Sequence, residues 1–336
     1  MTDNFTIPAI YCPFPSAISP HADAIQQHTL AWVREFDLAV EEKAWRRLQA
    51  SKFGRLAARA YPDAPLDRLE IVSDWNTWLF VLDDQCDEWG LGKDPRQLTV
   101  LHNRCLEVLS GSQPNSQDAS LIYAIYDIRK RITPLMPLAW QTRFIKSAAE
   151  YFESTEWEAD NRQHNTWPDA DSYIRMRPYT GGLLTDIDLV ELTESITLPL
   201  AVRKHPCIQE LIDITNDVVC WSNDIISLHK EKMHHDMHNL ALIFHHHQSI
   251  DLQTAIEQVN ELIGDKVRRF MELEQSLPCF GEGIDADIAH FVGVMRAWMR
   301  GNLDWSFESG RYLQDESQTV QGDDRYADEE RLLNSL

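Results

Sequence analysis

Several things are missing from this 336-residue sequence, and each absence narrows what it can be. No two of its six cysteines form a Cys-x-x-Cys pair, so neither a zinc knuckle nor a thioredoxin-type redox site is indicated. Cys12, Cys86, Cys105, Cys207, Cys220 and Cys279 read instead as scattered thiols in a reducing compartment, and a cytoplasmic location is expected. No run of about 18 apolar residues occurs, so no membrane insertion is expected. The stretch Met1 to Ser16 has no basic region followed by an apolar one, so no secretory signal is expected. Positive charge is scarce: 31 Lys and Arg stand against 53 Asp and Glu, a net −22. Nucleic-acid binding needs a basic face, and an anionic membrane surface would repel such a chain. No segment alternates apolar and polar residues as a half-buried strand does, and no Asn-Gly or Asp-Gly turn joins two apolar runs. No internal repeat and no linker divides the chain.

What is present is apolar and helical in period. Hydrophobic residues make up 43% and aromatics 10%, with eleven tryptophans, enough for a sizeable core. Leu30, Val33, Phe36 and Val40 follow the helical repeat, as do Leu252, Ile256, Val259 and Ile263. Glycine and proline gather between such stretches, at 62–65, 90–95, 111–114, 134–137 and 278–283. The expected fold is all-α, a single domain over residues 1–312 with roughly ten or more helices. Residues 313–336 are acidic and polar, and read as a mobile tail.

Two acidic segments interrupt the apolar pattern. The first is Asp83-Asp84-Gln-Cys-Asp87-Glu88, directly after the aromatic run Trp75 to Phe80. On a helix Asp83 and Asp87 share one face, and like charges at that spacing repel. A hard cation removes the penalty, because magnesium takes carboxylate and phosphate oxygens together. Alone, the cluster is equally an acidic helix end in water. The second segment is Asn223-Asp224-Ile-Ile-Ser227-Leu-His-Lys230-Glu231. Asn223, Ser227 and Glu231 lie at i, i+4 and i+8, an all-oxygen ladder on one face that suits magnesium. Lys230 can meet a phosphate as a point charge. An ordinary polar stripe is the bland reading, but the preceding Ile212 to Trp221 stretch is mostly apolar, and a polar ladder starting abruptly on a core helix is unusual.

With these two segments the sequence resembles the bacterial-type class I terpene synthases, whose signatures are an aspartate-rich DDxxD-like motif and NDxxSxxxE about 140 residues later. Asp83, Asp84, Asp87 and Glu88 match the first; Asn223, Ser227 and Glu231 match the second, with Lys230 before the glutamate. Arg177, 46 residues before Asn223, matches the family's diphosphate-sensing arginine. Thr180 and Gly181 match the linker and effector positions that follow it. Arg311-Tyr312 matches the C-terminal Arg-Tyr pair, and Pro13-Phe14-Pro15 before a helix bearing Trp32 is also similar. The resemblance implies a class I terpenoid synthase bundle around a central apolar cavity. It implies three Mg2+ ions, with Mn2+ able to substitute, and a linear prenyl diphosphate as substrate. Farnesyl diphosphate is the default, leading to a sesquiterpene; geranylgeranyl or geranyl diphosphate is the alternative. A homodimer is compatible with it.

The implied chemistry reconciles an acidic protein with an anionic substrate. Metals bridge carboxylates and diphosphate, while Arg177, Lys230, Arg311 and Tyr312 supply donors. The allylic cation must be kept from water, and aromatic faces can stabilise it. Phe80 and Trp305 are the candidates, with Trp75 and Trp78 behind them; each is as readily a core residue. Glu158 is a candidate outer acid near the metals. His234, His235, His238 and His245 to His247 lack zinc-site spacing and read as helix ends or surface.

Three competing functions remain to be weighed. A chain-elongating prenyltransferase would carry a second DDxxD where this chain has Asn223, Ser227 and Glu231. A class II cyclase needs DxDD, which Asp186-Ile-Asp188-Leu and Asp285-Ala-Asp287-Ile do not supply. A non-catalytic helical binding protein explains fold and acidity but not the ordered motifs.

Overall fold

The computed structural model describes residues 5–88 and 95–312, apart from the side chains of 86–88. The expected acidic tail therefore lies outside the described residues. Among the described residues there are fourteen helices and no strand. In chain order they are α1 Ala22–Glu35, α2 Glu42–Ser51, α3 Phe53–Ala60, α4 Leu66–Glu88, α5 Pro95–Ser110, α6 Ser120–Ile132 and α7 Leu138–His164. They continue with α8 Ala170–Thr180, α9 Leu183–Thr193, α10 Leu200–Arg203, α11 Pro206–His234, α12 Leu240–Gln248, α13 Leu252–Gln275 and α14 Glu282–Glu308.

The glycine and proline clusters of the sequence fall at helix ends, because proline lacks the N–H that a helix interior needs. Several starts are fixed by side chains. Asp169 accepts from the Ser172 N–H, Asp251 from the Thr254 N–H, and Asn239 from the Ala241 and Leu242 N–H groups. Each satisfies donors that the first turn leaves unpaired.

Three helices are buried on nearly every side and form the middle of the molecule. In α11, residues from Ile214 to Ser222 and from Asp224 to Leu228 are buried. In α9 so is everything from Thr185 to Thr193. In α4 the run from Ile71 to Leu79 is buried throughout. A helix without a polar face belongs inside a bundle. The outer layer packs around them: α3, α1, α6 and α9 touch α4, while α13, α14, α8 and α12 touch α11. Polar side chains on the central helices must find partners in the interior. Asp188 of α9 accepts from Arg143 and Ser147 of α7, and Asp74 of α4 from Arg131 of α6.

The segment before α1 runs along α13 and α14 as a strap. Thr6 and Ala9 bond to Gln253 and Asn260, and the Phe14 ring meets the edge of Phe270 at 5.6 Å. No helix among the described residues is long and apolar enough to cross a membrane.

Candidate active site

A cavity opens between α4, α11, α14 and the break that separates α8 from α9. It holds about 690 Å³ of empty space, part of it continuous with solvent. Leu56, Leu79, Phe80, Leu183 and Val219 give it apolar walls, and Asp83, Arg177, Asn223 and Tyr312 gather along it as well. The two acidic segments and both candidate diphosphate-binding elements thus meet at one cavity.

Arg177 is held by α11. Its Nε and Nη2 lie 3.0 and 2.8 Å from Asp224 Oδ1, and Nη2 donates to Asn223 Oδ1 at 3.1 Å. Nη1 reaches Thr180 Oγ1 at 3.3 Å. Asp224 is fully buried and also accepts from Tyr173 Oη and the Leu240 N–H. Desolvation raises the Asp224 carboxyl, with Arg177 opposing it. The guanidinium therefore presents a fixed positive edge to the cavity.

The break between α8 and α9 is steric in origin. Gly181 has an ordinary helical φ of −72°, but a Cβ there would stand 2.3 Å from Cys220 Sγ on α11. Gly182 is the residue that needs a left-handed backbone, at φ +67°. Asn216 Nδ2 of α11 donates to Pro178 O at 2.7 Å and fastens the turn.

On α11, Ser227 Oγ lies 2.7 Å from Asn223 O and 2.6 Å from Glu231 Oε1, so the ladder is oriented along one face. Glu231 also accepts from Asn239. Burial, with the Asp224 and Asp236 charges, pushes its carboxyl up to about 8. Across the cavity Asp83 is 36% exposed, and desolvation with the Asp84 carboxylate beside it raises it, against Arg311. Two carboxyls facing an incomplete set of counter-charges, among amide and hydroxyl oxygens, fit hard divalent cations. Asp87 and Glu88, expected beside them, have side chains outside the described residues.

Asp84 departs from its expected role as a metal ligand. It is fully buried, and both oxygens accept from Arg311 at 2.8 Å. Lys230 Nζ adds a bond at 3.1 Å, and Arg47 stands at 3.7 Å. Burial alone would raise this carboxyl; the three cations outweigh it and hold it well below the usual range. Asp84 anchors the basic side chains, and Lys230, expected to face phosphate, is one of them.

Arg311 lies over the Phe80 ring at 4.9 Å, and Phe80 stacks on Phe53 at 4.5 Å. Tyr312 Oη accepts from Asn223 Nδ2 at 2.9 Å, which ties the C-terminal pair to α11. Phe80 lines the cavity, but Trp305 does not. Trp305 is fully buried behind Phe80 and Tyr312, and its Nε1 donates to Ser51 O at 2.8 Å. Trp75 and Trp78 likewise spend their N–H groups in the core, on Thr185 and Leu121. Glu158 is buried beside Arg162 at 3.7 Å and adds negative potential at Asp83. His245, His246 and His247 are exposed, and His234 and His235 end α11. His238, expected at a helix end or the surface, is instead buried against Asp236 and Asn161.

Sequence reasoning missed Phe53, Arg47, Tyr173, Asn76, Asp186 and Asn302. None belongs to a spaced motif, and only tertiary packing brings them here.

Fold and site together define a class I terpenoid cyclase: an all-α bundle, an apolar cavity, and an oxygen-ligand cluster facing basic residues at that cavity. Comparison with known proteins agrees. The sequence model of Terpene synthase family 2, C-terminal metal binding, matches residues 74–269, and the chain belongs to this family. The chain is 39% identical to germacrene A synthase of Nostoc punctiforme, over 91% of this chain and 94% of that protein. It is 38% identical to (+)-T-muurolol synthase of Roseiflexus castenholzii, over 93% and 95%. A crystallised cucumene synthase variant superposes with a TM-score of 0.79 at 28% identity, covering 90% of this chain and 99% of that one. The chain is a metal-dependent terpene synthase, a lyase acting on a prenyl diphosphate.

Proposed function

We propose that this enzyme ionises farnesyl diphosphate and cyclises the cation to a sesquiterpene, with residues 1–312 acting as one catalytic domain. The observation that carries the reading is the meeting of Asp83, Arg177, Asn223 and Tyr312 along one apolar cavity. Relatives at 39% and 38% identity over nearly the whole chain bear names of sesquiterpene synthases, which supports a fifteen-carbon substrate.

Asp83, Asn223, Ser227 and Glu231, with Asp87 and Glu88 of the same motif, hold the metals, three Mg2+ ions for which Mn2+ can substitute. When bound, the ions act as Lewis acids that neutralise the departing diphosphate. Arg177 binds the diphosphate through a guanidinium already oriented by Asp224, so little reorganisation accompanies bond breaking. Arg311, Lys230 and Tyr312 reach the same group from the other side. Phe80, Leu79, Leu183 and Val219 exclude water and shape the chain, and the Phe80 face stabilises passing positive charge.

The test is incubation of the protein with geranyl, farnesyl and geranylgeranyl diphosphates plus magnesium, following diphosphate release and volatile products by mass spectrometry. Farnesyl diphosphate should give a kcat/KM about tenfold or more above the others, since one misfitted apolar unit is worth roughly that factor. Chelation should abolish turnover, and added magnesium should restore it. Absence of any terpene hydrocarbon or alcohol would sink the proposal; preference for geranylgeranyl diphosphate would turn it into a diterpene cyclase.

A further inference from the structure

Buried carboxylates in this protein keep a cation beside them. Asp74 has Arg131, Asp84 has Arg311, Asp188 has Arg143 and Arg203, Asp217 has Lys266 and Asp224 has Arg177. Glu158 and Glu191 have Arg162 and Arg143. The rule reflects the cost of leaving a charge unpaired in the interior. Half-buried Glu231 lacks a cation, and the metal cluster accounts for it. Asp186, at the start of α9, also lacks one, and nothing in the diphosphate chemistry accounts for it. It is 3% exposed and lines the cavity.

The partners of Asp186 are neutral. Tyr61 Oη donates to its carbonyl oxygen at 2.8 Å and lies 3.3 Å from Oδ1. The Asn76 amide, in the orientation that satisfies both groups, donates to Oδ1 at 2.7 Å and Oδ2 at 3.1 Å. Trp298 and Asn302 of α14 line the same cavity, and Asn302 Nδ2 has no partner among the described residues. Burial pushes the Asp186 carboxyl well above its usual range. A carboxyl buried among neutral donors is kept as the neutral acid, with a proton to give. The cavity it lines is the one that, on the farnesyl reading above, holds alkenes and carbocations.

We propose that Asp186 is a proton donor and acceptor inside the cavity, protonating a carbon–carbon double bond of a neutral cyclic intermediate and taking a proton back from the cation that follows. The inference rests on the farnesyl cyclase reading. The neutral intermediate forms when the first cyclic cation loses a proton to an oxygen of the released diphosphate. The Asp186 O–H bond then breaks, and the alkene π pair forms a new C–H bond. A cation is left on the neighbouring carbon, and a carboxylate on Asp186. That carboxylate removes a proton adjacent to the final cationic centre, whose C–H pair becomes the product double bond. The acid is restored, and the second phase is a net isomerisation without a co-reactant. Asp188, two residues on, cannot share the task, because Arg143 and Arg203 hold it as a carboxylate.

The experiment is turnover of farnesyl diphosphate in D2O, with deuterium in the products counted per diphosphate released. Wild type should place one deuteron in each cyclised product. Asp186→Asn keeps the volume and the hydrogen bonds but has no proton to transfer; its label per diphosphate should fall at least tenfold, with a neutral monocycle accumulating. Asp186→Glu should recover part of the label. Wild type that releases diphosphate and gives unlabelled product overturns this inference alone, whatever the variants do. An Asn variant with undiminished label also overturns it. Wild type that releases no diphosphate overturns the farnesyl reading and this inference together.

Discussion

The motif helices α4 and α11 face the same electrostatic problem and solve it differently. Each begins its motif with two adjacent polar residues, Asp83-Asp84 and Asn223-Asp224. Neighbours on a helix diverge by about 100°, so the first of each pair lines the cavity and the second is buried. Each buried aspartate then clamps an arginine. On α11 the clamp is local: Asp224 holds Arg177 with help from Tyr173 and the start of α12. On α4 it is assembled from afar, with Arg311 from beyond α14, Lys230 from α11 and Arg47 from α2. The α11 side is a preset sensor; the α4 side is a clasp whose parts arrive from three places. The difference teaches that the adjacent acids are not duplicate metal ligands. One of each pair faces the ligand, and its neighbour fixes a positive charge.

The largest expected effect separates the cavity-facing members of the two pairs. Asn223→Ala combined with Glu231→Ala removes most of the α11 ligand set and should lower diphosphate release by on the order of 10³-fold or more. Asp83→Asn should cost less, about 10²-fold, because Asp87 and Glu88 remain in its motif. Steady-state diphosphate assays measure both. Turnover that survives the double substitution would show that α11 does not carry the metals.

The buried members should part company in stability. Asp224→Asn leaves Arg177 without an anionic partner and should cost about 3–5 kcal/mol. Asp84→Asn leaves Arg311 with Asp83 at 3.5 Å as a fallback, so a cost of about 1–2 kcal/mol is expected. At about 2 °C per kcal/mol for a chain of this size, melting by circular dichroism should fall by roughly 6–10 °C for Asp224→Asn and by roughly 2–4 °C for Asp84→Asn. Equal falls would break the distinction between preset sensor and clasp.

How much of this was legible in the sequence follows from how local each feature is. The Asn223, Ser227 and Glu231 ladder was readable because helical periodicity alone puts those residues on one face. Helix existence was readable for the same reason, although α4, α9 and α11 have no polar face and show the period only weakly. Arg177, Arg311 and Tyr312 became readable through family spacing, and the structure brings them to the cavity. Asp84 was grouped with the metal ligands because a string of acids does not reveal which one turns inward. Trp305 was placed at the cavity on aromatic character, whereas its N–H is committed to Ser51 O at the end of α2. Asp186 was weighed only as part of a class II motif that it fails to complete. Its isolation from every cation depends on where α3, α4 and α14 pack against α9, and no spacing in the chain records that.

The smallest effect tests how firmly the sensor side is preset. Gly181 is needed for space and not for backbone freedom, since its φ is ordinary and the obstacle is Cys220 Sγ at 2.3 Å from a Cβ. Gly181→Ala should displace the α8–α9 break against α11, at an overpacking cost of about 1–3 kcal/mol, and turnover should drop by about tenfold as Arg177 shifts. Cys220→Ala removes the sulfur, so the double variant should regain most of the lost activity, a favourable coupling between two contacting sites. Cys220→Ala alone should stay within about threefold of wild type, as it forfeits one weak bond to Asn216 at 3.1 Å. If the double variant is as impaired as Gly181→Ala, the steric account is wrong. The α8–α9 break would then be set by the left-handed Gly182 and the Asn216 bond to Pro178, and the α11 side would owe its rigidity to the turn itself.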